Sequence, residues 1–417
     1  MFARASVFAD NSVDMIPVAE AIQIVRDKSV ALPIESVPIN RALRRILAED
    51  IVADSDLPPF DRSQMDGYAV RAADINEVPV QLRIAGESAA GKGWHHELQP
   101  GQAVRIMTGA PVPAGADSVQ QVELTTELRD RTVVEIFERV QPGRSIVRRG
   151  SEIKAGETVL RAGVEINAAM IATLASFGYA QVKVGKAPRI AVLATGSELV
   201  DVNEKPGEDQ IRESNNYSIA AYASLVNANV EILPLTDDET SSLAQRLSDA
   251  AEHCDVIVTS GGVSMGVYDF TKSALAKLGA ELFFEKVALK PGKPTVFARL
   301  PTGTFVFGLP GNPVSVSVTF NLFARTALLA MQGAQDPVLK RESAVLAKNV
   351  KGAIERESYL PVQLLTNDDG ELVAFPLKWG GSSDFVGFSQ ATALAIVPVG
   401  TKSVEAGEVV KILRLPG

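Results

Sequence analysis

The spacing of apolar positions changes several times along the chain, and each change predicts a different kind of structure. Near the amino end Val18, Ile22 and Val25 recur at helical spacing and predict a helix from Pro17 to about Lys28, with proline suited to the first turn. The stretch "INRALRRILAEDIVA" has a similar pattern and predicts a second helix. Two prolines and a polar cluster in "DLPPFDRSQMDGYAV" then impose an extended, turn-rich passage. Residues 78–165 read as a β-rich insertion of short strands, "VQLRIAG", "AVRIMTG", "TVVEIFERV" and "ETVLRAGV", each bounded by turn residues.

From Arg189 to about Met331 strands alternate with helices. "RIAVLATG", "NVEILPLT", "CDVIVTSGG" and "GTFVFGLPG" are the strands; "SNNYSIAAYASLVNA" and "TSSLAQRLSDAAEH" are helical segments between the first three. That alternation predicts a three-layer α/β/α domain around a mostly parallel sheet. After residue 338 short strands and turns return and predict a small β-barrel or sandwich. The expected organisation is an N-terminal region over 1–187, an α/β domain over 188–333 and a C-terminal β domain over 338–417.

Composition narrows the chemistry. With 46% hydrophobic and 22% charged residues the 417-residue chain has globular composition. Its apolar segment "VSVSVTFNLFARTALLAM" is broken by Asn321 and Arg325, so no membrane span is expected, and "MFARASVFADNSVD" has no secretory apolar run. A cytoplasmic location is the expectation. A single cysteine, Cys254, excludes disulfides, and three histidines leave little for a zinc site, so any metal is expected to be a hard one. The net charge of -9 excludes a general nucleic-acid surface but not a local basic pocket for a small anion.

In an open parallel sheet, ligands bind beyond the carboxyl ends of the strands. Unusual loops follow the predicted strands: "ATGSEL" (194–199), "TSGGVSMG" (259–266), "LKPGKPT" (289–295) and "GLPGNPVS" (308–315). Opening on one rim, they can surround one ligand. Gly261, Gly262 and Gly266 let backbone approach an anion, although Val267 stands where a phosphate-loop lysine would be. Lys290 and Lys293 flank a Pro-Gly turn and can hold two cations toward an oxyanion. Ser315 lies where a helix begins, and capping alone would explain it. The carboxylates Glu198, Asp237, Asp238 and Asp269 lie at the same rim, where they can hold Mg²⁺ for phosphoanhydride cleavage; capping is an equal alternative for Asp237 and Asp269. Asp61 and Asp66 can be simple turn formers.

These loops, with "PPFDRSQMDGYAV", "RIMTGAPVPAGAD", "RRGSEIKAG" and "KPGKP", resemble the MoeA family of molybdenum-insertion enzymes, which includes the C-terminal domain of gephyrin. The resemblance runs almost end to end. It implies a molybdopterin molybdenumtransferase that takes adenylylated molybdopterin and molybdate, cleaves the pyrophosphate link with Mg²⁺, releases AMP and leaves molybdenum on the pterin dithiolene. One buried-looking cysteine cannot supply thiolates for molybdenum, so the substrate must carry the sulfur.

The resemblance implies catalytic roles for Asp66, Glu198, Asp238 (or Asp237) and Asp269, with Glu198 and the three last aspartates as metal ligands. It implies substrate binding by Thr108, Gly261, Gly262, Ser264, Gly266, Pro310, Gly311, Asn312 and Pro313. For molybdate it implies Lys290, Lys293, Pro294 and Ser315, joined by Arg356 and Ser382 of the last domain. It also implies a homodimer in which the "MDGYA" region of one protomer approaches the α/β domain of the other, with transient contact to the molybdopterin adenylyltransferase and to apo-molybdoenzymes. Three positions depart from the family pattern: Ser151 with Glu152 for Glu-Asp, Glu213 for Asp, and Val267 for Glu. Two other readings share the α/β domain, namely molybdopterin adenylylation or nucleotide pyrophosphate cleavage, and a non-catalytic scaffold. The long N-terminal region and C-terminal β domain speak against the first, and the presence of Asp66, Glu198 and Asp269 against the second.

Overall fold

The computed structural model describes residues 15–236, 239–262 and 270–416. Asp237, Asp238, Ser264, Gly266, Val267 and Asp269 lie outside the described residues. The chain forms two compact units, one of Asp50–Arg161 with Ala172–Ala180, the other of Met1–Glu49, Ala162–Ile171 and Gln181–Gly417.

The smaller unit is built on a six-stranded sheet, in the order Ser118–Gln121, Gly67–Val70, Gln102–Ile106, Val80–Ser88, Val133–Ile136, Thr125–Leu128. Only the pairing of Val80–Ser88 with Gln102–Ile106 is parallel. Alternation along the strands fills two cores: Tyr68, Val70, Leu82, Ala103 and Val134 face one side, Ala69, Val104, Ile106 and Val119 the other. "ETVLRAGV" contributes Thr158–Leu160, which pairs with Ile51–Val52 outside this sheet.

In the larger unit the central sheet runs Asn229–Ile232, Arg189–Ala194, Val256–Ser260, Phe305–Leu309, Val296–Arg299, Glu281–Phe284. The first four strands are mutually parallel; the last two run antiparallel to their neighbours. These strands are buried on both faces, and alternate residues go to opposite cores. Ile190, Val192, Val256, Val258, Phe305 and Phe307 pack with Ile219 and Ala223 of the helix Asn215–Ser224 and with the helix over Pro313–Met331. Ala191, Leu193, Ile257 and Val306 pack with Leu243, Ala244 and Leu247 of Thr240–Ala251 and with Ala274 and Leu275 of Phe270–Lys277. The result is the three-layer sandwich that the strand and helix alternation predicts. Pro313–Met331 is apolar and long enough to cross a membrane, but 89% of its apolar window is buried inside the protein, so it is the core helix of this layer.

The strands Arg341–Leu346, Glu357–Thr366, Leu372–Pro376, Ala393–Val397 and Val409–Arg414 close into a barrel, because Glu357–Thr366 pairs with both Leu372–Pro376 and Ala393–Val397. Leu289–Lys290 adds to it in parallel, Lys290 beside Ser358. The first helix spans Val18–Lys28 behind Pro17, with Val18, Ala21 and Val25 buried. The second expected helix is not one. Past a short 3₁₀ turn at Ile39–Arg41, Arg44 takes a φ of 62° and donates its N–H to Ile166, while Leu47 donates to Val164 and bridges Val184. The backbone of that segment hydrogen-bonds to distant chain rather than four residues back, and tertiary pairing overrides the helical spacing.

Candidate active site

The parallel strands Arg189–Ala194, Val256–Ser260 and Phe305–Leu309 end on one rim, and Val296, opposite Gly308, begins there. The described parts of all four loops in the sequence reading therefore open on the same side. The glycines after Ser260 are there for close packing. Gly261 has a φ of 93°, and a Cβ on it would lie 2.4 Å from the Thr195 carbonyl oxygen; Gly262 has a φ of 65°. Gly261 donates its N–H to Leu309, and Thr195 donates to Ser260. A side chain at 261 would wedge these loops apart.

Asn215, at the start of its helix, ties the rim together by donating from Nδ2 to Ser260 Oγ at 2.6 Å and to the Gly311 carbonyl at 2.8 Å. Its Oδ1, with the buried Thr195 and Thr271 Oγ1 atoms that flank Gly262, finds no hydrogen-bond partner among the described residues. Buried polar atoms in native proteins are normally satisfied, so three orphans around one loop mark a place prepared for something else. Thr195 and Asn215 line a cavity of about 930 Å³, with Thr271 set against its Gly262; Glu198, Arg212, Glu213, Gly261, Pro310, Gly311, Asn312, Pro313 and Phe385 are among the other lining residues. The Glu198 carboxylate curls against Gly196, with its oxygens 2.7 and 2.8 Å from where a Cβ would stand. Glu213 is buried at 5% exposure, which raises its carboxyl pKa; its Oε1 accepts the Asn216 N–H at 2.7 Å.

A second cavity of about 700 Å³ has a different lining: Lys290, Lys293, Pro294, Ser315, Lys351, Arg356, Trp379 and Ser382, with Pro310 and Asn312. The structure thus brings together every residue expected at the oxyanion site, from the α/β layer and the barrel. Among the described residues no acidic one lines it, and Lys290, Lys293, Lys351 and Arg356 make no ion pair. Four cations gathered in one cavity of a chain of net charge -9 make it locally electropositive, the electrostatics an anion site needs. The turn that carries the lysines is fixed by Gly292, whose φ of 118° and close approach to Thr319 admit no side chain. Ser315 is not the helix cap: Asn312 holds that position, Pro313 is the first helical residue, and Ser315 is buried two residues later. Asn312 sends its amide to Ser382 Oγ at 3.0 Å, and Ser382 accepts the Val314 N–H. The two cavities share Pro294, Pro310 and Asn312 as a common wall.

In the smaller unit Asp66 and Thr108 meet. Thr108 donates from its backbone N–H at 2.7 Å and from Oγ1 at 2.8 Å to one oxygen of Asp66, which holds that carboxyl below its ordinary pKa. Asp61 is held by Arg148 Nη1 at 2.6 Å and by the Arg149 N–H at 2.8 Å. Glu152 pairs with Arg62.

Sequence reading missed Asn215, Lys351 and Trp379. An Asn pair opening a helix reads as an ordinary cap, and Lys351 is one lysine in a β domain with no motif around it. Nothing local in the sequence singles out either.

Family models match the chain in three blocks: "MoeA N-terminal region (domain I and II)" over residues 16–178, "Probable molybdopterin binding domain" over 191–330 and "MoeA C-terminal region (domain IV)" over 343–415. Proteins named molybdopterin molybdenumtransferase from Staphylococcus aureus (strain Mu50 / ATCC 700699) and Bacillus subtilis (strain 168) are 36% and 35% identical to it, over 95% and 96% of this chain and 95% and 94% of theirs. A crystal structure of the molybdopterin biosynthesis MoeA protein from Pyrococcus horikoshii OT3 superposes with a TM-score of 0.82 at 29% identity, covering 96% of this chain and all of that one. The three blocks, the near full-length identity and the shared architecture agree: the chain belongs to the MoeA family, the molybdopterin molybdenumtransferases.

Proposed function

We propose that this chain inserts molybdenum into adenylylated molybdopterin, with cleavage of the pyrophosphate link and release of AMP. The observation that carries this reading is the common wall of Pro294, Pro310 and Asn312 between a basic cavity and a glycine-loop cavity. An oxyanion held by Lys290, Lys293, Lys351 and Arg356 would lie next to a pterin nucleotide seated along Gly261, Gly262 and Gly311. Water adds to the phosphoanhydride to give AMP and the pterin phosphate. The dithiolene sulfurs take the molybdenum, and one oxide of molybdate leaves as water with the two thiol protons.

The side chains divide this work. The lysines and Arg356 bind and orient molybdate and offset its charge. The orphaned Thr195 and Asn215 oxygens offer acceptors, and the threonine hydroxyls donors, to a polar ligand whose own hydrogen bonds would otherwise be lost on leaving water. Glu198, an exposed carboxylate with no hydrogen bond among the described residues, fits Mg²⁺ by its all-oxygen chemistry; Asp237, Asp238 and Asp269 would complete the set. Bound there, Mg²⁺ supplies charge neutralisation on the phosphate oxygens.

Asp66 and Thr108 belong to the same reading as a contribution from a partner protomer across a two-fold interface. Incubation with adenylylated molybdopterin, Mg²⁺ and molybdate should release AMP and yield cofactor that reconstitutes an apo-molybdoenzyme; intact nucleotide would refute the assignment. For the shared site, mixing Asp66→Asn with Glu198→Gln chains should restore part of the activity lost in each. Confirmed subunit exchange without any recovery would return Asp66 to its own chain.

A further inference from the structure

Outside the rim, one group of metal-ligating side chains converges among the described residues. Glu231 Oε, His253 Nε2 and Cys254 Sγ all lie within 4.8 Å of one another, and His253 Nε2 is 2.9 Å from Glu231 Oε2. The sequence gives no hint of this, because Glu231 sits more than 20 residues from the other two and a lone cysteine beside an aspartate reads as a small buried hydrophobe. The sheet creates the cluster. Glu231 lies in the edge strand Asn229–Ile232, in register with Ala191, and His253-Cys254 is the turn between the helix Thr240–Ala251 and the strand Val256–Ser260. It is therefore at the amino side of the strand whose carboxyl end carries Gly261, roughly 20 Å away at about 3.3 Å per residue.

We propose that Glu231, His253 and Cys254 form a binding site for a borderline-soft divalent cation of the zinc type, separate from the catalytic rim. The donor set decides the class of ion. Thiolate, imidazole and carboxylate together suit Zn²⁺ or Co²⁺ and not Mg²⁺. Bond lengths of about 2.0 Å to nitrogen and oxygen and 2.3 Å to sulfur, at tetrahedral angles, put such ligand atoms about 3.3–3.5 Å apart, so shifts within side chains suffice to close the site. A thiolate and a carboxylate with a neutral imidazole balance a divalent charge, and the fourth position falls to water. The frame is fixed. The Cys254 N–H donates to Ala250 at 2.9 Å and its carbonyl accepts from Thr304 Oγ1 at 3.1 Å, while Glu231 is locked in the sheet ladder. Asp255 is turned away to Arg189, to whose backbone N–H and guanidinium it is bonded, so it does not compete. Without metal, burial and the Glu231 charge push the Cys254 thiol up to about 11; coordination reverses that bias and displaces the thiol proton onto solvent.

The test is titration of the whole protein with Co²⁺, read by thiolate-to-cobalt charge-transfer absorption, followed by displacement with Zn²⁺. One equivalent should generate the band, excess Mg²⁺ should not remove it, and one equivalent of Zn²⁺ should. Cys254→Ala, which keeps a small apolar group in the core, should lack the band while melting as a folded protein. His253→Ala, at an exposed position, should weaken Co²⁺ binding by at least about 100-fold, the upper end of what changes merely behind a metal ligand cost. Absence of the band in wild type overturns the proposal, and so does a Co²⁺ affinity unchanged in His253→Ala. Neither substitution touches the rim, so molybdate-dependent AMP release should be unaltered in both.

Discussion

The two cavities of the larger unit adjoin, yet they recognise by opposite means. The glycine-loop cavity is walled mainly by backbone, hydroxyls, amides and prolines, with two glutamates and Arg212 among them, and its distinguishing feature is hydrogen-bonding capacity left unused among the described residues at Thr195 and Asn215, with Thr271 behind Gly262. Among the described residues, the lysine cavity has four cations and no acid. Neutral, geometrically exacting groups select a shaped ligand, because a misfit leaves buried polar atoms unpaired. Unpaired cations select charge, with less regard for shape. On the proposed function, a protein that holds a large nucleotide and a small tetrahedral dianion side by side has reason to build one of each.

Substitutions can break this contrast from either side. Glu198→Gln should have the largest effect: AMP release falls at least about 100-fold, or about 2.7 kcal/mol of barrier, since a neutral amide is a poor ligand for a hard cation. Near wild-type turnover would remove Glu198 from the metal. Lys290→Ala or Lys293→Ala should raise the molybdate concentration needed for half-maximal rate by about 10- to 100-fold, the worth of one charge-assisted hydrogen bond of about 1.5–3 kcal/mol. Affinity for the pterin nucleotide should hardly move, and a parallel loss of both would merge the two cavities into one site. Gly261→Ala should destabilise by about 1–3 kcal/mol in denaturant unfolding, from its positive φ and the carbonyl of Thr195 in its way. An unchanged midpoint would mean that the loop yields.

The smallest effect concerns Glu213. Its folded carboxyl pKa is raised by burial above the unfolded value, so its contribution to stability is complete at low pH and is lost as pH rises through the folded value. Glu213→Gln should flatten that decline in thermal melts between mildly acidic and neutral pH. A decline equally steep in the variant would assign it to other groups.

What the chain reveals before folding follows the same division. The central sheet is legible because "RIAVLATG" and "GTFVFGLPG" are short, continuous apolar runs, the mark of strands buried on both faces, set between helical segments; the rim loops are legible because each carries its own glycines, prolines or lysines. Residues 39–53 mislead: their helical spacing is real, but Arg44 and Leu47 are claimed by Ile166 and Val164, partners that no local pattern names. Asn215 and Lys351 are hidden for a related reason. Their roles come from what the sheet and barrel bring beside them. Asp66 with Thr108 is intermediate, since each motif is visible and the bond between them is not. The Glu231, His253 and Cys254 cluster is the extreme case, three unremarkable residues made neighbours only by a strand order.

The central claim is that oxyanion and nucleotide are handled in adjoining cavities of one site, so that filling the first governs chemistry in the second. Single-turnover AMP release measured against molybdate concentration tests it most directly, in wild type and in Lys293→Ala with adenylylated molybdopterin saturating. The account predicts that release rises with molybdate to a plateau, and that the variant needs about 10- to 100-fold more molybdate to approach the same plateau. AMP release independent of molybdate in wild type, or a variant curve that superposes on it, would contradict the account.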